Sequence, residues 1–168
     1  MTSLESGFAK LLNPVNKFIH FTRRNSIIGS KRNISAHYDL SNDFYKLWLD
    51  PTMTYSCAIF DNEDTSLEDA SLEKIDRLCR KINLNENDHL LEIGTGWGSF
   101  SLHAAKKYGC KITTTTISDS QYDYTLSKIQ EHNLADKINL LKKDYRHLEG
   151  KYDKIVSIEM IEAVGHNN

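Results

Sequence analysis

Cysteine is scarce in these 168 residues. Cys57, Cys79 and Cys110 are an odd number, and none of their spacings is that of a metal-ligand pair. Such usage excludes a disulfide framework and a cysteine-based metal site, and it fits reduced thiols in the cytoplasm. Long apolar runs are lacking as well. No stretch approaches the roughly 20 apolar residues of a membrane-spanning helix. The first residues also lack the apolar core and small-residue cleavage site of a signal peptide, so a cytoplasmic protein is expected. Internal repeats and low-complexity tracts are absent. The net charge of −2 gives no indication of a nucleic-acid partner, and none is expected. That charge is unevenly spread: residues 1–32 carry six lysines and arginines against Glu5 alone, a net of +5, which leaves −7 for the remainder. A basic arm on an acidic body suits an anionic partner such as a lipid surface, which would place the protein peripherally at the inner face of the membrane.

Two regions follow from this reading, a basic helical arm over 1–32 and one folded unit over 33–168. In the arm, Asn13 can cap a helix, Pro14 suits its first position, and Val15, Phe18 and Ile19 form an apolar stripe. A dense aromatic stretch runs from His37 to Leu49. Its second part is expected to be a short helix capped near Ser41 and ended by Asp50-Pro51. Thr54-Tyr55-Ser56-Cys57 reads as extended or looped. Ser66 and Asp69 then form a capping-box-like pair ahead of Leu72, Ile75, Leu78 and Ile82 at helical spacing.

From residue 89 short apolar or β-branched runs alternate with helical patterns. Strands are expected at Leu90–Ile93, Lys111–Thr116, Ile138–Leu141 and Ile155–Ile158. Helices are expected through Phe100–Tyr108 and after Ser118 or Asp119, the latter with Tyr122, Leu126 and Ile129 on one face. This alternation predicts an α/β fold with a doubly wound, parallel sheet of the Rossmann type. Its strands are expected to be buried on both faces.

Glu92-Ile93-Gly94-Thr95-Gly96-Trp97-Gly98 lies between the first strand and the helix after it. Glycines there let the backbone turn sharply and approach a ligand closely. A dinucleotide-binding turn places its third glycine three positions after the second. Here the interval is two, which favours S-adenosylmethionine, a ligand without pyrophosphate whose carboxylate would face the helix N-terminus. Rossmann sites usually place an Asp or Glu at the end of strand two for the ribose. This chain has Thr113-Thr114-Thr115-Thr116 instead, leaving Thr116 and Gln121 as neutral hydrogen-bonding groups. Without context, the threonine run would express only β-propensity.

Five separated runs, in order, carry a family resemblance: His37 to Tyr45, Met53 to Ala58, Leu91 to Gly98, Thr116 to Gln121, and Ser157 to Gly165. They resemble the cyclopropane-fatty-acid and mycolic acid cyclopropane synthases, over residues 33–168. The resemblance implies a class I methyltransferase domain that uses S-adenosylmethionine, with bicarbonate as a second bound group and unsaturated phospholipid acyl chains as substrate. By position, Tyr55 and Ser56 match the loop over the cofactor, and Gly94 and Gly96 the floor beneath its methionine part. Thr116 and Gln121 match the ribose contacts, and Tyr145 an aromatic residue near the adenine. Cys57 and Glu162 match two residues that help to hold bicarbonate. Taken singly, Cys57 reads as a small buried residue, Tyr145 as core and Glu162 as a solvated carboxylate of a helix's first turn. His37 and His166 are weaker candidates for a base.

The implied chemistry begins with methyl transfer to an alkene, which leaves a carbocation. Tyr38, Phe44 and Tyr45 offer π faces to such a cation. Removal of a proton from the new methyl then closes the ring. The family's downstream histidine, tyrosine and acyl-channel segment have no counterpart here. The expectation is therefore the N-terminal part of a longer enzyme, with only the first four strands. Two alternatives stay open, a small-molecule N- or C-methyltransferase and a non-catalytic cofactor-binding fragment. A homodimer also stays open.

Overall fold

A computed structural model describes residues 41–160 of the chain. The expected arm helix, His37, Tyr38, Glu162 and His166 lie outside the described residues. Four strands form one parallel sheet: β1 (His89–Ile93), β2 (Lys111–Thr116), β3 (Ile138–Lys142) and β4 (Lys154–Ser157), in the order β3-β2-β1-β4. Chain order runs outward from β1 to β2 and β3, then returns to the other side of β1 for β4. That reversal makes the C-terminal ends of β1 and β4 a topological switch point, where ligands of open α/β sheets bind.

Helix α1 (Asn42–Lys46) is capped by Ser41, whose side chain accepts from the Phe44 N–H. It stops at Lys46, earlier than the expected end at Asp50-Pro51. The buried Asp50 carboxylate accepts from the Thr52 N–H at 2.8 Å and the Ser71 hydroxyl at 3.1 Å, tying this segment to the next helix. Helix α2 (Leu67–Lys81) begins at the Ser66–Asp69 pair as the spacing predicts, with Ser66 accepting from the Asp69 N–H at 3.0 Å. Helix α3 (Ser99–Tyr108) joins β1 to β2 and ends at Gly109 in the left-handed conformation.

Helix α4 (Asp119–Glu131) joins β2 to β3 and is capped by Ser118. Its buried face is Gln121, Thr125 and Ile129; Tyr122 and Leu126 are only partly buried. Ile129 is buried as expected, but Gln121 and Thr125, one position before Tyr122 and Leu126, are buried with it. Gln121 lies at the end of β2, where Thr116 Oγ1 bonds it, and Thr125 packs against Gly98 of the glycine turn. The expectation of strands buried on both faces holds in the middle of the sheet only. β1 and β2 are almost wholly buried, whereas β3 and β4 alternate between covered and open positions as the outer strands of the described sheet.

The core joins Ile75 and Cys79 of α2, Leu90 of β1, Phe100 and Ala104 of α3, Ile112 of β2 and Ile129 of α4. Asp76 fastens α2 to α3. Its buried carboxylate accepts from Lys107 Nζ at 2.8 Å, Tyr108 Oη at 2.9 Å, His103 Nε2 at 3.0 Å and the Arg80 guanidinium. Burial alone would raise its pKa. The donors from Lys107, His103 and Tyr108 and the Lys107 charge outweigh it and hold the carboxyl well below the usual range. Cys79 and Cys110 are free and buried, and burial raises both thiols, Cys79 to about 12. Among the described residues, no helix is long and apolar enough to cross a membrane.

Candidate cofactor and transfer site

The turn after β1 is held from below before it can hold anything above. Glu92 is fully buried, and its Oε2 accepts from Thr114 Oγ1 at 2.6 Å and from the Ser101 hydroxyl of α3. Burial pushes this carboxyl up to about 7 against the two hydroxyl donors. Thr95 Oγ1 lies 2.7 Å from Thr114 Oγ1, and the N–H groups of Gly94 and Thr95 both donate to the Thr115 carbonyl, at 3.1 and 3.0 Å. The threonine run therefore does more than favour a strand: the Thr114 hydroxyl and the Thr115 carbonyl stitch β2 to the turn. The acidic residue ahead of the glycines is an internal brace joining β1, β2 and α3.

The three glycines have different tasks. All have positive φ, 94° at Gly94, 55° at Gly96 and 85° at Gly98. A Cβ at Gly98 would stand 2.7 Å from Thr125 Cγ2 of α4, so Gly98 is there for close packing. A Cβ at Gly94 would make ordinary contact with Met160 Sδ at 3.5 Å, and one at Gly96 would meet no atom within 4 Å. Gly96 thus opens onto free space at the N-terminus of α3, where unpaired N–H groups and the helix dipole favour a carboxylate.

On the β2 side, Thr116 and Gln121 are both buried, and Thr116 Oγ1 donates to Gln121 Oε1 at 2.9 Å. They form one neutral polar unit, as the sequence suggests for a ribose-binding edge without an acid. Tyr145 begins a short 3-10 turn after β3 (Tyr145–His147) and is partly buried. Asp144 caps that turn and accepts from the backbone N–H and the guanidinium of Arg146. These Arg146 bonds hold the Asp144 carboxyl below its usual value against the burial that raises it. The arrangement spends Asp144 on placing Tyr145.

The opposite wall is aromatic. Tyr45 is buried among Trp48, Tyr55 and Trp97, with ring centroids 5.8, 5.7 and 4.6 Å away. Trp97 of the glycine turn also donates from Nε1 to Asn42 Oδ1 at 2.9 Å, joining α1 to the turn. Phe44 packs edge-on against Tyr45 and is exposed. Tyr55 is exposed at the rim of this cluster, and Ser56 and Cys57 follow it. Cys57 is exposed, so it is not the small buried residue that it resembles when taken alone.

The structure adds two residues absent from the sequence-derived set. The Lys74 ammonium of α2 donates to Ser56 Oγ, and Ser56 in turn donates to Glu159 Oε1, just after β4. Lys74 Nζ is 3.7 Å from the same carboxylate oxygen. Burial tends to raise the Glu159 pKa, but the Ser56 bond, the Lys74 charge and groups of Cys57 bring it below the usual carboxylate value. A signal exists in the sequence, since Glu159 stands three places before Glu162 in the Ser157-to-Gly165 run. Among the described residues no cluster of histidine, cysteine and carboxylate side chains could hold a metal ion.

A four-stranded parallel sheet with a glycine turn leading from β1 into α3 and a polar β2 end defines the class: this is the front of a class I S-adenosylmethionine-dependent methyltransferase fold. The residues fit that cofactor, with open space over Gly96, a helix N-terminus beside it and hydrogen-bonding groups at Thr116 and Gln121. The family model "Mycolic acid cyclopropane synthetase" matches residues 26–168, and the chain belongs to that family. It is 46% identical over 137 residues to a probable fatty acid methyltransferase of Pseudomonas putida, covering 80% of this chain and 35% of that one. It is 40% identical over 146 residues to the tuberculostearic acid methyltransferase UfaA1 of Mycobacterium tuberculosis, covering 83% and 34%. The solved structure of the mycolic acid cyclopropane synthase CmaA1 complexed with SAH and CTAB superposes with a TM-score of 0.77 at 36% identity, covering 81% of this chain and 48% of that one. The chain thus spans between about a third and about half the length of these relatives.

Proposed function

We propose that this chain forms the cofactor-binding part of an enzyme that transfers one carbon from S-adenosylmethionine to the double bond of an unsaturated phospholipid acyl chain, forming a cyclopropane ring. The observation that carries the reading is the open space over Gly96 beside the N-terminus of α3, together with the neutral Thr116–Gln121 pair at the end of β2. Family membership and the fatty acid methyltransferase relative support the lipid acceptor.

When bound, the cofactor supplies an activated methyl group. The residues of the chain do the rest. Gly96 admits the ligand without a side chain in its way, and the α3 N-terminus faces its carboxylate. Thr116 and Gln121 exchange their mutual bond for bonds to the ribose hydroxyls, and Tyr145 borders the adenine. An alkene is a poor nucleophile, so orientation matters greatly, and correct placement of two reactants contributes on the order of 7–11 kcal/mol. The Tyr45–Trp48–Tyr55–Trp97 wall excludes water and offers π faces to the cation that methyl transfer leaves on the acyl chain. In this reading Cys57 and Glu162 would help to hold a bicarbonate ion, which would supply a base for the proton whose loss closes the ring. The basic arm brings the protein to the anionic inner face of the membrane.

The first test is calorimetry with S-adenosylhomocysteine, for which micromolar binding is expected. The second grafts this chain in place of the matching segment of the Pseudomonas putida relative. The graft is supplied with methyl-labelled S-adenosylmethionine, vesicles of unsaturated phospholipid and a mixture of small amines, and the lipids and the soluble fraction are analysed by gas chromatography and mass spectrometry. Label in a cyclopropane ring supports the proposal. Label in a methyl branch would correct the outcome to simple methylation, and label found only on small amines would overturn the lipid reading.

A further inference from the structure

Lys74 is 8% exposed on a helix whose apolar stripe needs no cation there. A buried ammonium is costly unless it is paired and hydrogen-bonded. Both needs are met from outside α2, by the Ser56 hydroxyl of the loop and the Glu159 carboxylate beyond β4. Ser56 lies between the two, accepting from the ammonium and donating to the carboxylate, so the three form one continuous chain of bonds. Glu159 also has a φ of 50°, in the left-handed region that a non-glycine residue seldom occupies. A strained backbone of this kind persists where the surroundings hold it. The segments joined here are the ones that flank the switch point. One carries Tyr55 and Cys57 at the rim of the aromatic wall. The other passes Met160 over Gly94.

We propose that Lys74 and Glu159 are positioning residues for the transfer site. Their ion pair, closed through Ser56, fixes the 54–58 loop against the end of β4 and thereby sets Tyr55 and Cys57 over the cofactor floor. The proposal rests on the reading of that floor as an S-adenosylmethionine site. The pair touches neither cofactor nor acceptor and acts through the loop.

The test uses Lys74→Met, Glu159→Gln, the double variant and Lys74→Arg. One readout is the near-ultraviolet circular dichroism of the aromatic wall, which contains both tryptophans of the chain and needs no ligand. The other is affinity for S-adenosylhomocysteine by calorimetry. Each single neutral variant is expected to lower the near-ultraviolet signal and weaken binding about tenfold, and the double variant no further, because either change breaks the same pair. Lys74→Arg, which keeps the charge, should stay within about threefold of the original affinity.

A purely structural role would give additive losses in melting temperature with an unchanged near-ultraviolet signal in the folded state, and this would overturn the proposal. Glu159→Gln keeps the test open if Lys74→Met does not fold, since Glu159 is half-exposed and changes by one atom. If the original chain binds no S-adenosylhomocysteine, the functional reading fails. The circular dichroism of the variants still decides whether the pair fixes the loop.

Discussion

Gly96 and Gly98 stand two residues apart, and their substitution should fail in opposite ways. Alanine at Gly98 meets two penalties. A φ of 85° is costly for any residue with a Cβ, by about 1–2 kcal/mol. The new Cβ would also stand 2.7 Å from Thr125 Cγ2, and such overpacking costs about 1–3 kcal/mol more. Together these come to about 2–5 kcal/mol, which for a chain of this size lowers the melting temperature by roughly 10 °C. At Gly96 the φ of 55° costs about 1–2 kcal/mol, but no atom lies within 4 Å of the added carbon, so Gly96→Ala should melt only roughly 3–5 °C early. Binding should show the reverse order. Gly96→Val should abolish binding of S-adenosylhomocysteine, because its branched side chain fills the space over the floor. Gly98→Ala, measured below its melting point, should bind within about threefold of the original. Adding Thr125→Ser to Gly98→Ala removes the clashing methyl and should recover about 1 kcal/mol or more of stability. Differential scanning calorimetry and titration calorimetry supply both numbers. A Gly96→Val protein that binds like the original would refute the floor assignment. A Gly98→Ala protein that melts like the original would refute the packing assignment.

Other perturbations follow from the buried polar groups. Burial raises the Glu92 carboxyl from 4.5 to about 7 despite its hydroxyl donors. The folded state therefore binds more protons than the unfolded one, and stability should fall by on the order of 3 kcal/mol as pH rises from about 4.5 to about 7. Glu92→Gln, whose amide oxygen can accept from both Ser101 and Thr114, should flatten that part of a urea-midpoint curve measured against pH; an unchanged curve would argue against the assignment. Asp76 is shifted the other way, so its contribution is present above the ordinary carboxylate range and is lost as pH falls through and below about 4. Asp76→Asn should destabilise by about 3 kcal/mol at neutral pH and lessen the acid-induced loss, again read from urea midpoints. Among the described residues Thr125 Oγ1 is buried without a hydrogen-bond partner. Thr125→Val should therefore raise stability by about 1 kcal/mol, and a lower melting temperature would show that the hydroxyl has a partner after all.

Much of the fold was legible because each element announces itself within a short window. Ser66 with Asp69 starts α2, Gly109 ends α3, and Lys111 to Thr116 is the strand that its β-branched residues predict. What misled was polarity. The face of α4 that looked apolar, through Tyr122 and Leu126, is only half-covered, while Gln121 and Thr125 are buried. Apolar periodicity assumes that a helix packs on hydrocarbon. α4 packs where the Thr116 hydroxyl meets Gln121 and where Gly98 leaves room for the short side chain of Thr125, so these two residues are taken inside. Asp50 shows the same thing on a smaller scale. The sequence reading treats it as a helix stop before Pro51, but its carboxylate is a buried acceptor between a turn and α2.

The site divides along a similar line. Gly94, Gly96, Thr116 and Gln121 stand out as candidates from spacing because positive φ at the glycines and the Thr116–Gln121 bond are local features, which is information that a short motif carries. Lys74, Ser56 and Glu159 come from a helix, a loop and the end of a strand, and nothing local says that they meet. A lysine just off an apolar stripe ordinarily extends its ammonium to water. It is buried here only because the fold brings the 54–58 loop and the chain after β4 to the same point. The proposed cofactor floor is thus written in short local motifs, while the contact between Lys74, Ser56 and Glu159 exists only once the sheet has assembled. A substitution at Lys74 should therefore leave every recognisable motif intact and still disorder the loop that those motifs depend on.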